Sequence, residues 1–352
     1  MVSFYRNNYG KIWSTIFSIK KKTSFLEAPV YVQWVATHRC NYSCEHCGTD
    51  AGKALCNELN TKEAMQLISE MGQMGVKYLS VTGGEPLLRK DLFEILSHAK
   101  KLGIKVGFVT HGGLVTNYKE QIKNLKPFSM MVSIDGLKET HNKLRGDNAN
   151  FDKSIEIIKY FKSVGVPRVS ISTTVNQRNF NDIEELKKIV FQSGANHWRI
   201  NLAIPEGRAK NKEWMYLNEK QIKELFNFIR ENNKKFEIEI CEGAGYLGDW
   251  DKKLRKTPFF CGCGWTTCTI MADGTVMGCP IFENQEKHSE ANIRDTSFKD
   301  IWENKFKRFR NLELPDDCNS CKHLNACRGG CWMMRIFDAH CLKEVWENNK
   351  PK

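Results

Sequence analysis

Three cysteines near residue 45 carry the clearest chemical signal in the sequence. They are spaced C-x3-C-x2-C over Cys40, Cys44 and Cys47. Three thiolates can hold three irons of a cube-shaped 4Fe–4S cluster and leave the fourth iron free for a small molecule, unlike the four-cysteine clusters of electron carriers. The alternative is a zinc site, which would need His38 or His46 as its fourth ligand.

A second block of cysteines lies near the C-terminus. Its first part has the spacing C-x12-G-x4-C, and its second part has the spacing C-x2-C-x5-C-x3-C followed by one more cysteine. The members of the two parts are Cys261, Gly274 and Cys279, and then Cys318, Cys321, Cys327, Cys331 and Cys341. Clustered cysteines in a long chain without a secretory signal bind metal more often than they form disulfides. For residues 318–331 alone, a zinc knuckle is the alternative interpretation.

A glycine-rich turn, Gly83-Gly84-Glu85-Pro86, follows a strand-like segment. Two glycines allow a close approach of the backbone to a ligand. The edge of such a turn can accept hydrogen bonds from an ammonium group, so we expect a ligand site here.

The elements that position these motifs alternate between strand and helix from residue 30 to residue 240. Apolar runs predict strands over Val32–Thr37, Tyr78–Thr82, Lys105–Thr110, Met130–Ile134, Val169–Val175, Trp198–Leu202 and Phe236–Ile240. Amphipathic patterns predict helices over Thr61–Met74, Asp91–Leu102, Tyr118–Leu125, Phe151–Val164, Ile183–Gln192 and Glu219–Asn232. This alternation is typical of a parallel sheet built from right-handed units, in a full or partial barrel. The cysteine triplet follows the first strand and the glycine turn follows the second, where such barrels hold their chemistry.

The pattern changes at both ends of this region. Asp273-Gly274 predicts a hairpin turn, and Phe298–Asn311 predicts one helix in an otherwise cysteine-rich segment. Apolar residues at helical spacing around residues 9–17 predict a helix packed on the main domain. We therefore expect an N-terminal basic and aromatic extension (1–29), a barrel domain (30–240) and a C-terminal cysteine-rich domain (241–352).

Together, the triplet and the glycine turn resemble the radical S-adenosylmethionine (radical SAM) superfamily over about residues 30–240. The resemblance implies a partial (β/α)6 TIM-like barrel in the α/β class, with a catalytic 4Fe–4S cluster on Cys40, Cys44 and Cys47. It also implies SAM-binding residues at the strand ends, which are Gly83, Gly84, Glu85, Ser133, Arg145, Thr173 and Asn176. After the third strand the family often has Thr-Asn-Gly, whereas this chain has Thr110-His111-Gly112, so the role of His111 stays open.

The C-terminal cysteine pattern resembles the SPASM extension of radical SAM enzymes, which holds two auxiliary 4Fe–4S clusters. The resemblance implies one cluster on Cys318, Cys321, Cys327 and Cys341, and another on Cys261, Cys279 and Cys331. Either Cys263 or Cys268 would complete the second set, or its fourth position would stay open for substrate. We select Cys268 because it leads into the predicted hairpin. Cys56 and Cys241 remain unassigned, and a small buried side chain is the ordinary role for Cys241.

The resemblance implies that reductive cleavage of SAM gives a 5′-deoxyadenosyl radical, which removes hydrogen from a substrate. SPASM substrates are usually peptides or proteins that gain a crosslink, a thioether or an oxidised residue, as in the maturation of peptide natural products. A reducing partner such as flavodoxin or ferredoxin would be needed. Because only about 30 residues precede the first strand, leader recognition would require a separate protein or direct binding of the substrate.

Three other functions are weighed against this one. Sulfatase maturases have an Asp directly after the cysteine that matches Cys279, and Pro280 at that position argues against them. Side-chain modification of tetrapyrroles in haem pathways suits the basic charge and the Gly207-Arg208-Ala209 segment. A non-catalytic iron–sulfur or nucleic-acid-binding protein is the third.

Composition places further limits on the function. The 352-residue chain has 41% hydrophobic residues and a net charge of +12, which favours acidic partners without selecting one. No sequence signature of a nucleic-acid-binding fold is visible, so we expect no nucleic-acid partner. No apolar run approaches the roughly 18 residues of a transmembrane helix, and no secretory signal precedes the first strand. These features predict a cytoplasmic enzyme.

Overall fold

The computed structural model describes residues 26–146, 150–311, 314, 316–337 and 341. The helix predicted around residues 9–17 lies outside the described residues. No helix within the described ranges is both long and apolar enough to cross a membrane.

Seven parallel strands form the centre of the molecule, in chain order across one sheet. Their bounds are β1 Tyr31–Val35, β2 Tyr78–Thr82, β3 Lys105–Thr110, β4 Ser129–Ser133, β5 Arg168–Val175, β6 His197–Leu202 and β7 Ile238–Ile240. Among the described strands, β7 pairs on one side only, so the sheet does not close. The α/β partial barrel predicted from the sequence is confirmed.

Helices connect successive strands and cover the outer face of this sheet. Those of the barrel are α1 Thr61–Met74, α2 Leu92–Lys101, α3 Lys119–Leu125, α4 Lys138–Arg145, α5 Asn150–Ser163, α6 Ile183–Gln192 and α7 Glu219–Asn232. The later helices are short: α8 Asp251–Leu254, α9 Gln285–His288, α10 Phe298–Asn304, α11 Lys307–Arg310, α12 Asp316–Asn319, α13 Leu324–Cys327 and α14 Trp332–Ile336.

Local sequence explains where two of the three longest outer helices begin. Asn60 caps α1, and its side chain and that of Glu63 each accept a hydrogen bond from the other's backbone. Asn218 and Gln221 form the same capping box at the start of α7. Such reciprocal caps satisfy backbone N–H groups that have no partner within the helix.

The prediction of one helix over Phe298–Asn311 is wrong. The chain forms α10 and α11 instead, with Phe306 between them in the left-handed conformation at φ 50°. Phe306 is fully buried, and its backbone N–H donates to Glu290 at 2.7 Å. Burial of this aromatic side chain therefore outweighs the continuation of the helix.

Three further strands extend the same sheet beyond β1. They are β8 Thr267–Ile270, β9 Thr275–Met277 and β10 Ser289–Asn292. Strand β8 runs parallel to β1, and β9 and β10 continue antiparallel. The predicted hairpin turn is confirmed: Gly274 has φ +88°, and the Asp273 side chain accepts from the N–H of Thr275 at 3.0 Å.

The main core lies between the sheet and the outer helices. Its largest fully buried side chains include Trp34, Phe108, Phe161 and Trp198. Bulky apolar side chains cover the face of the sheet that packs against the helices. The polar residues of the strands therefore lie on the inner face of the open barrel. The loops after the strand ends are thereby fixed at one edge.

Candidate catalytic site

The loop that carries the first three thiols begins directly after β1. Its base is closed by backbone hydrogen bonds from Cys40 N–H to the Gly52 carbonyl at 2.9 Å and from Gly52 N–H to the His38 carbonyl at 3.1 Å. The Glu58 carboxylate accepts from the N–H of His38 at 2.7 Å. The loop therefore leaves the sheet and returns to it within residues 38–52. We refer to these residues as the cluster loop.

The three thiols of the cluster loop are close enough to affect one another electrostatically. Burial, and then the neighbouring thiols and Glu85, raise the pKa of Cys40 to about 11. Burial also raises the pKa of Cys44, partly offset by Arg145. Within the described chain, no three His, Cys, Asp or Glu side chains meet closely enough to hold a single metal ion. A cube-shaped cluster has a different requirement, because each thiolate binds a different iron.

The glycine turn after β2 packs directly against the cluster loop. A Cβ on Gly83 would lie 2.3 Å from the Thr37 carbonyl oxygen, and one on Gly84 would lie 2.3 Å from that of Arg39. Only glycine fits at either position, because backbone atoms fill the space. No hydrogen bond from a described residue reaches the carbonyl oxygens of Gly83 and Gly84. These two acceptors suit an ammonium group.

The Glu85 side chain serves an internal network. It is fully buried and accepts from the Thr110 hydroxyl and the His111 N–H, each at 3.0 Å. His111 Nδ1 accepts from the Gly113 N–H at 3.0 Å, so Nε2 carries the proton and faces Glu85 at 3.2 Å and Asn41 at 3.0 Å. The His111 ring also stacks on Tyr42, with ring centroids 3.7 Å apart. His111 thus links the glycine turn to the cluster loop, a role that the sequence left open.

A buried acid–base cluster lies on the other side of the cluster loop. Asp135 accepts from Arg145 Nη2 at 2.6 Å, and His46 Nε2 lies 3.1 Å away. Burial would raise the pKa of Asp135, but Arg145 and His46 outweigh it and hold the pKa far below its usual range. Arg145 also approaches the Cys44 thiol at 3.9 Å. His46 Nδ1 is buried without a hydrogen-bond partner in the described chain, so it remains available to a bound molecule.

The remaining residues predicted to bind SAM lie at the ends of β4 and β5. Ser133 is partly exposed at the end of β4. The Thr173 hydroxyl donates to the Ile134 carbonyl at 2.6 Å and accepts from Trp198 at 2.9 Å. The Asn176 side chain accepts from the Arg178 N–H at 3.0 Å. Thr173 and Asn176 are both fully buried and shape the loop through internal bonds.

Arg208 holds the cluster loop in place, a role that was not predicted for it from the sequence. Its side chain donates to the carbonyl oxygens of Cys44 at 2.7 Å and Ala51 at 3.0 Å, and it pairs with Asp50 at 2.8 Å. The adjacent Gly207 packs so closely that a Cβ there would lie 2.5 Å from the Cys47 carbonyl oxygen. The segment after β6 therefore fixes the second half of the cluster loop.

Four thiols from the C-terminal region converge in a second group. Cys263 lies within hydrogen-bonding range of both Cys261 and Cys279, and Cys331 interacts electrostatically with Cys263 and Cys279. Burial, followed by Cys261, raises the pKa of Cys331 to about 12. Cys268, the predicted fourth member, does not take part in these interactions. Cys268 lies on β8 opposite Val32, is buried in the main core, and has Arg310 as its charged neighbour.

A third group contains Cys318, Cys321, Cys327 and Cys341. Burial, followed by the other three thiols, raises the pKa of Cys327 to about 11. All fourteen cysteines of the chain are among the described residues, and none of them forms a disulfide. The structure thus arranges thiols in sets of three, four and four, and a donor set of thiols alone suits iron–sulfur clusters.

A cavity of about 400 Å³ lies between the cluster loop and the second thiol group. Its wall includes His46 on one side and all four thiols of the second group on the other. Cys241 and Cys268 also line it. Among the described lining residues, Arg199 and Glu206 are the only lysine, arginine, aspartate or glutamate side chains. A molecule bound there would face both thiol-bearing regions.

Comparison with known proteins matches two regions of the chain to families. Residues 34–190 match the radical SAM superfamily. Residues 261–322 match SPASM, an iron–sulfur cluster-binding domain. The two matches cover the cluster loop, the glycine turn and five of the eight thiols in the second and third groups.

Several relatives match most of this chain and most of their own length. The mycofactocin maturase MftC of Mycolicibacterium smegmatis is 27% identical over 93% of this chain and 88% of its own. The AdoMet-dependent heme synthase of Oleidesulfovibrio alaskensis is 30% identical over 85% of this chain and 81% of its own. The crystal structure of Streptococcus suis SuiB bound to the precursor peptide SuiA shares the fold, with a TM-score of 0.73 and 19% identity over 93% of this chain and 77% of that one. The chain therefore belongs to the radical SAM superfamily, as an enzyme that uses SAM and iron–sulfur clusters and has a SPASM domain in its C-terminal region.

Proposed function

We propose that this enzyme modifies a peptide or protein, giving a crosslink, a thioether or an oxidised residue. When bound, the iron–sulfur cluster and SAM supply a 5′-deoxyadenosyl radical that removes hydrogen from an unactivated C–H bond. The protein's own residues must hold the cofactors, orient the substrate and exclude water.

In this proposal, Cys40, Cys44 and Cys47 hold the catalytic cluster. Their thiols must lose protons to bind iron, and the burial that raises the pKa values of Cys40 and Cys44 opposes this in the free protein. Arg145, next to Cys44, favours the thiolate form. The glycine turn and Arg208 hold the backbone of the loop from opposite sides.

The carbonyl oxygens of Gly83 and Gly84 would accept from the amino group of SAM, while the Glu85 carboxylate orients His111. Ser133, Arg145, Thr173 and Asn176 stay predictions as SAM-binding residues. The internal bonds of Thr173 and Asn176 favour a role for these two in shaping the pocket rather than in side-chain contact.

We further propose that the second and third thiol groups hold two auxiliary 4Fe–4S clusters. Cys261, Cys263, Cys279 and Cys331 form the set that faces the cavity, with Cys263 in place of Cys268. Cys318, Cys321, Cys327 and Cys341 form the other set, which leaves Cys56, Cys241 and Cys268 without a ligand role. Flavodoxin or ferredoxin as reductant, a separate leader-recognition protein and a cytoplasmic location stay predictions.

The charge of the cavity is the observation that carries the choice of a peptide. One guanidinium and one carboxylate line it, and Arg199 is already paired with Glu239 at 3.4 Å. A tetrapyrrole of the haem pathways bears several carboxylates, and burying them without cations would be costly. The net charge of +12 therefore lies elsewhere on the protein. A neutral peptide segment suits this wall better.

The likeness to heme synthases makes tetrapyrrole modification the second candidate. The test is anaerobic incubation of the reconstituted enzyme with SAM, a reductant and either a peptide encoded beside its gene or a porphyrin carboxylate. We expect 5′-deoxyadenosine release and a mass change in the peptide. A mass change confined to the porphyrin would overturn the peptide assignment.

Two cysteine variants separate cofactor cleavage from substrate modification. Cys44→Ala should abolish 5′-deoxyadenosine release, because the catalytic cluster loses a ligand. Cys321→Ala should retain release without peptide but stop product formation. Full release from Cys44→Ala would refute the site, and an unchanged product yield from Cys321→Ala would make the C-terminal thiols dispensable.

A further inference from the structure

Glu206 is a buried carboxylate in the wall of the cavity. It follows β6 and is 4% exposed. Its Oε1 accepts from the backbone N–H groups of Phe282 and Glu283, the latter at 3.0 Å. These residues follow the Cys279 segment, so Glu206 reaches from the barrel to the loop beside the second thiol group.

The other carboxylate oxygen of Glu206 has no partner among the described residues. No hydrogen bond or ion pair from a described residue involves Oε2, and this oxygen keeps surface that is open to the cavity. Burial raises the pKa of Glu206, partly offset by its two backbone donors. An acceptor that is fixed in place and left open in a cavity wall is therefore suited to a donor brought by a ligand.

We propose that Oε2 of Glu206 accepts a hydrogen bond from an N–H or O–H group of the substrate, and so selects donor-bearing peptides over carboxylate-bearing molecules. This inference rests on the proposed function, because it takes the cavity as the substrate site. Glu206 would act as a specificity-determining residue: it attracts an amide, hydroxyl or ammonium group and repels a carboxylate.

Glu206→Gln tests this assignment without removing the anchor. The Gln carbonyl oxygen can still accept from Phe282 and Glu283, while an NH₂ donor replaces the open acceptor. Glu283→Gln is the matched control, since Glu283 lies in the same loop and accepts from the Gly207 N–H at 3.3 Å but does not line the cavity. Iron content and melting temperature serve as folding checks. If Glu206→Gln fails them, Glu206→Asp, which keeps a carboxylate, replaces it.

Equilibrium binding is measured by anaerobic calorimetry with two probes: the peptide from the functional assay and iron coproporphyrin III, a porphyrin tetracarboxylate. We expect Glu206→Gln to weaken peptide binding about tenfold or more, as for loss of a hydrogen bond to a charged group. The same variant should bind the porphyrin more tightly, on the order of tenfold or more. The reason is that the Glu206 carboxylate, which repels the carboxylates of the porphyrin, is removed. Glu206→Asp should weaken peptide binding through its shorter reach while still binding the porphyrin weakly.

The two probes keep this inference separate from the proposed function. If the wild-type enzyme does not modify the peptide, the proposed function fails, and the porphyrin still reports on Glu206. Unchanged porphyrin affinity in Glu206→Gln, or weaker porphyrin binding, would overturn the inference. An equal loss of peptide affinity in Glu283→Gln and Glu206→Gln would also overturn the inference.

Discussion

At Gly84, one methyl group would decide whether the cluster loop can take its position. The added Cβ would lie 2.3 Å from the Arg39 carbonyl oxygen and 2.9 Å from the Cβ of Cys40. The first neighbour is a backbone atom and cannot rotate away. A single side-chain atom is thus excluded by the geometry that brings the glycine turn to the first cysteine.

We predict that Gly84→Ala lowers iron retention and destabilises the fold by about 1–3 kcal/mol, the usual cost of overpacking. Gly52→Ala is the control, because its Cβ would meet nothing within 4 Å. Iron content per chain and the melting temperature under anaerobic conditions measure the effect. Equal iron content in the two variants would mean that the cluster loop can shift to make room.

The identity of the fourth thiol gives a second prediction for single residues. Cys263→Ala should lower the iron content by the equivalent of one cluster, because Cys263 lies between Cys261 and Cys279. Cys268→Ala should leave the iron content unchanged, because Cys268 lies in the core of the sheet. Iron analysis with electron paramagnetic resonance of the reduced proteins distinguishes the variants, and the reverse result would restore Cys268 as the ligand.

At this scale, sequence reasoning succeeds where the contact is local. The spacing of Cys40, Cys44 and Cys47 lies within one loop, so a single sequence segment suffices to predict that the thiols meet. The choice between Cys263 and Cys268 depends on the turn at 262–267, where Cys263 bridges to Thr267 before β8 begins. Glu206 could not be found in this way, because its partners lie 76 and 77 residues away along the chain.

Among the elements, β6 and β7 are joined by a buried histidine–carboxylate contact at the base of the barrel. His197 begins β6, and its two ring nitrogens lie 2.9 Å from Ser170 Oγ and from Glu239 Oε2 on β7. Burial lowers the pKa of His197 to about 4, and the attraction of Glu239 does not fully compensate. The imidazole is therefore neutral at physiological pH.

This neutral histidine makes stability depend on pH. In the unfolded chain His197 binds a proton near pH 6.5, whereas in the folded protein it does so only near pH 4. The contribution of His197 to stability is therefore complete above pH 6.5 and is lost as the pH drops towards 4. We expect a loss on the order of 1 kcal/mol by about pH 5.5. Thermal unfolding of the wild type and of His197→Gln between pH 7.5 and 5.5 checks this. An equally steep dependence in the variant would assign the effect to other groups.

Periodicity predicted most of these elements, because strands and helices bury one face at a fixed repeat. The predicted and observed bounds agree fully at Tyr78–Thr82 and Ile183–Gln192. Helix α4 was not predicted from the sequence: its eight residues are mostly polar, with a buried His141 and Arg145 in place of an apolar stripe. Its position depends on the charged cluster around Asp135, which exists only in the folded protein.

Over the whole molecule, the C-terminal region completes the sheet that the barrel begins. Strand β8 pairs with β1, the Phe298 N–H donates to Glu70 on α1 at 2.8 Å, and Arg294 pairs with Glu63 at 2.7 Å. The division into residues 1–29, 30–240 and 241–352 stays a prediction. These contacts lead us to propose that residues 30–240 need the C-terminal strands for stability.

We therefore predict that a chain ended after Pro258 aggregates, because the edge of β1 and the apolar faces under Phe298 and Trp302 become exposed. A chain ended after Asn311 keeps β8–β10 and α10, so it should fold without aggregating, although it loses the third thiol group and Cys331 of the second. Gel filtration and circular dichroism compare the two. A folded monomer from the shorter chain would instead support an independent domain at 30–240.

The pairing of β1 with β8 also has a consequence for biosynthesis. Tyr31 pairs with Thr267, so a ribosome must synthesise nearly the whole barrel before the neighbour of its first strand exists. Until then one edge of β1 has unpaired backbone amides, which can pair with other nascent chains. Closing so long a loop is slow, so the yield of native enzyme should depend on translation speed and chaperone supply.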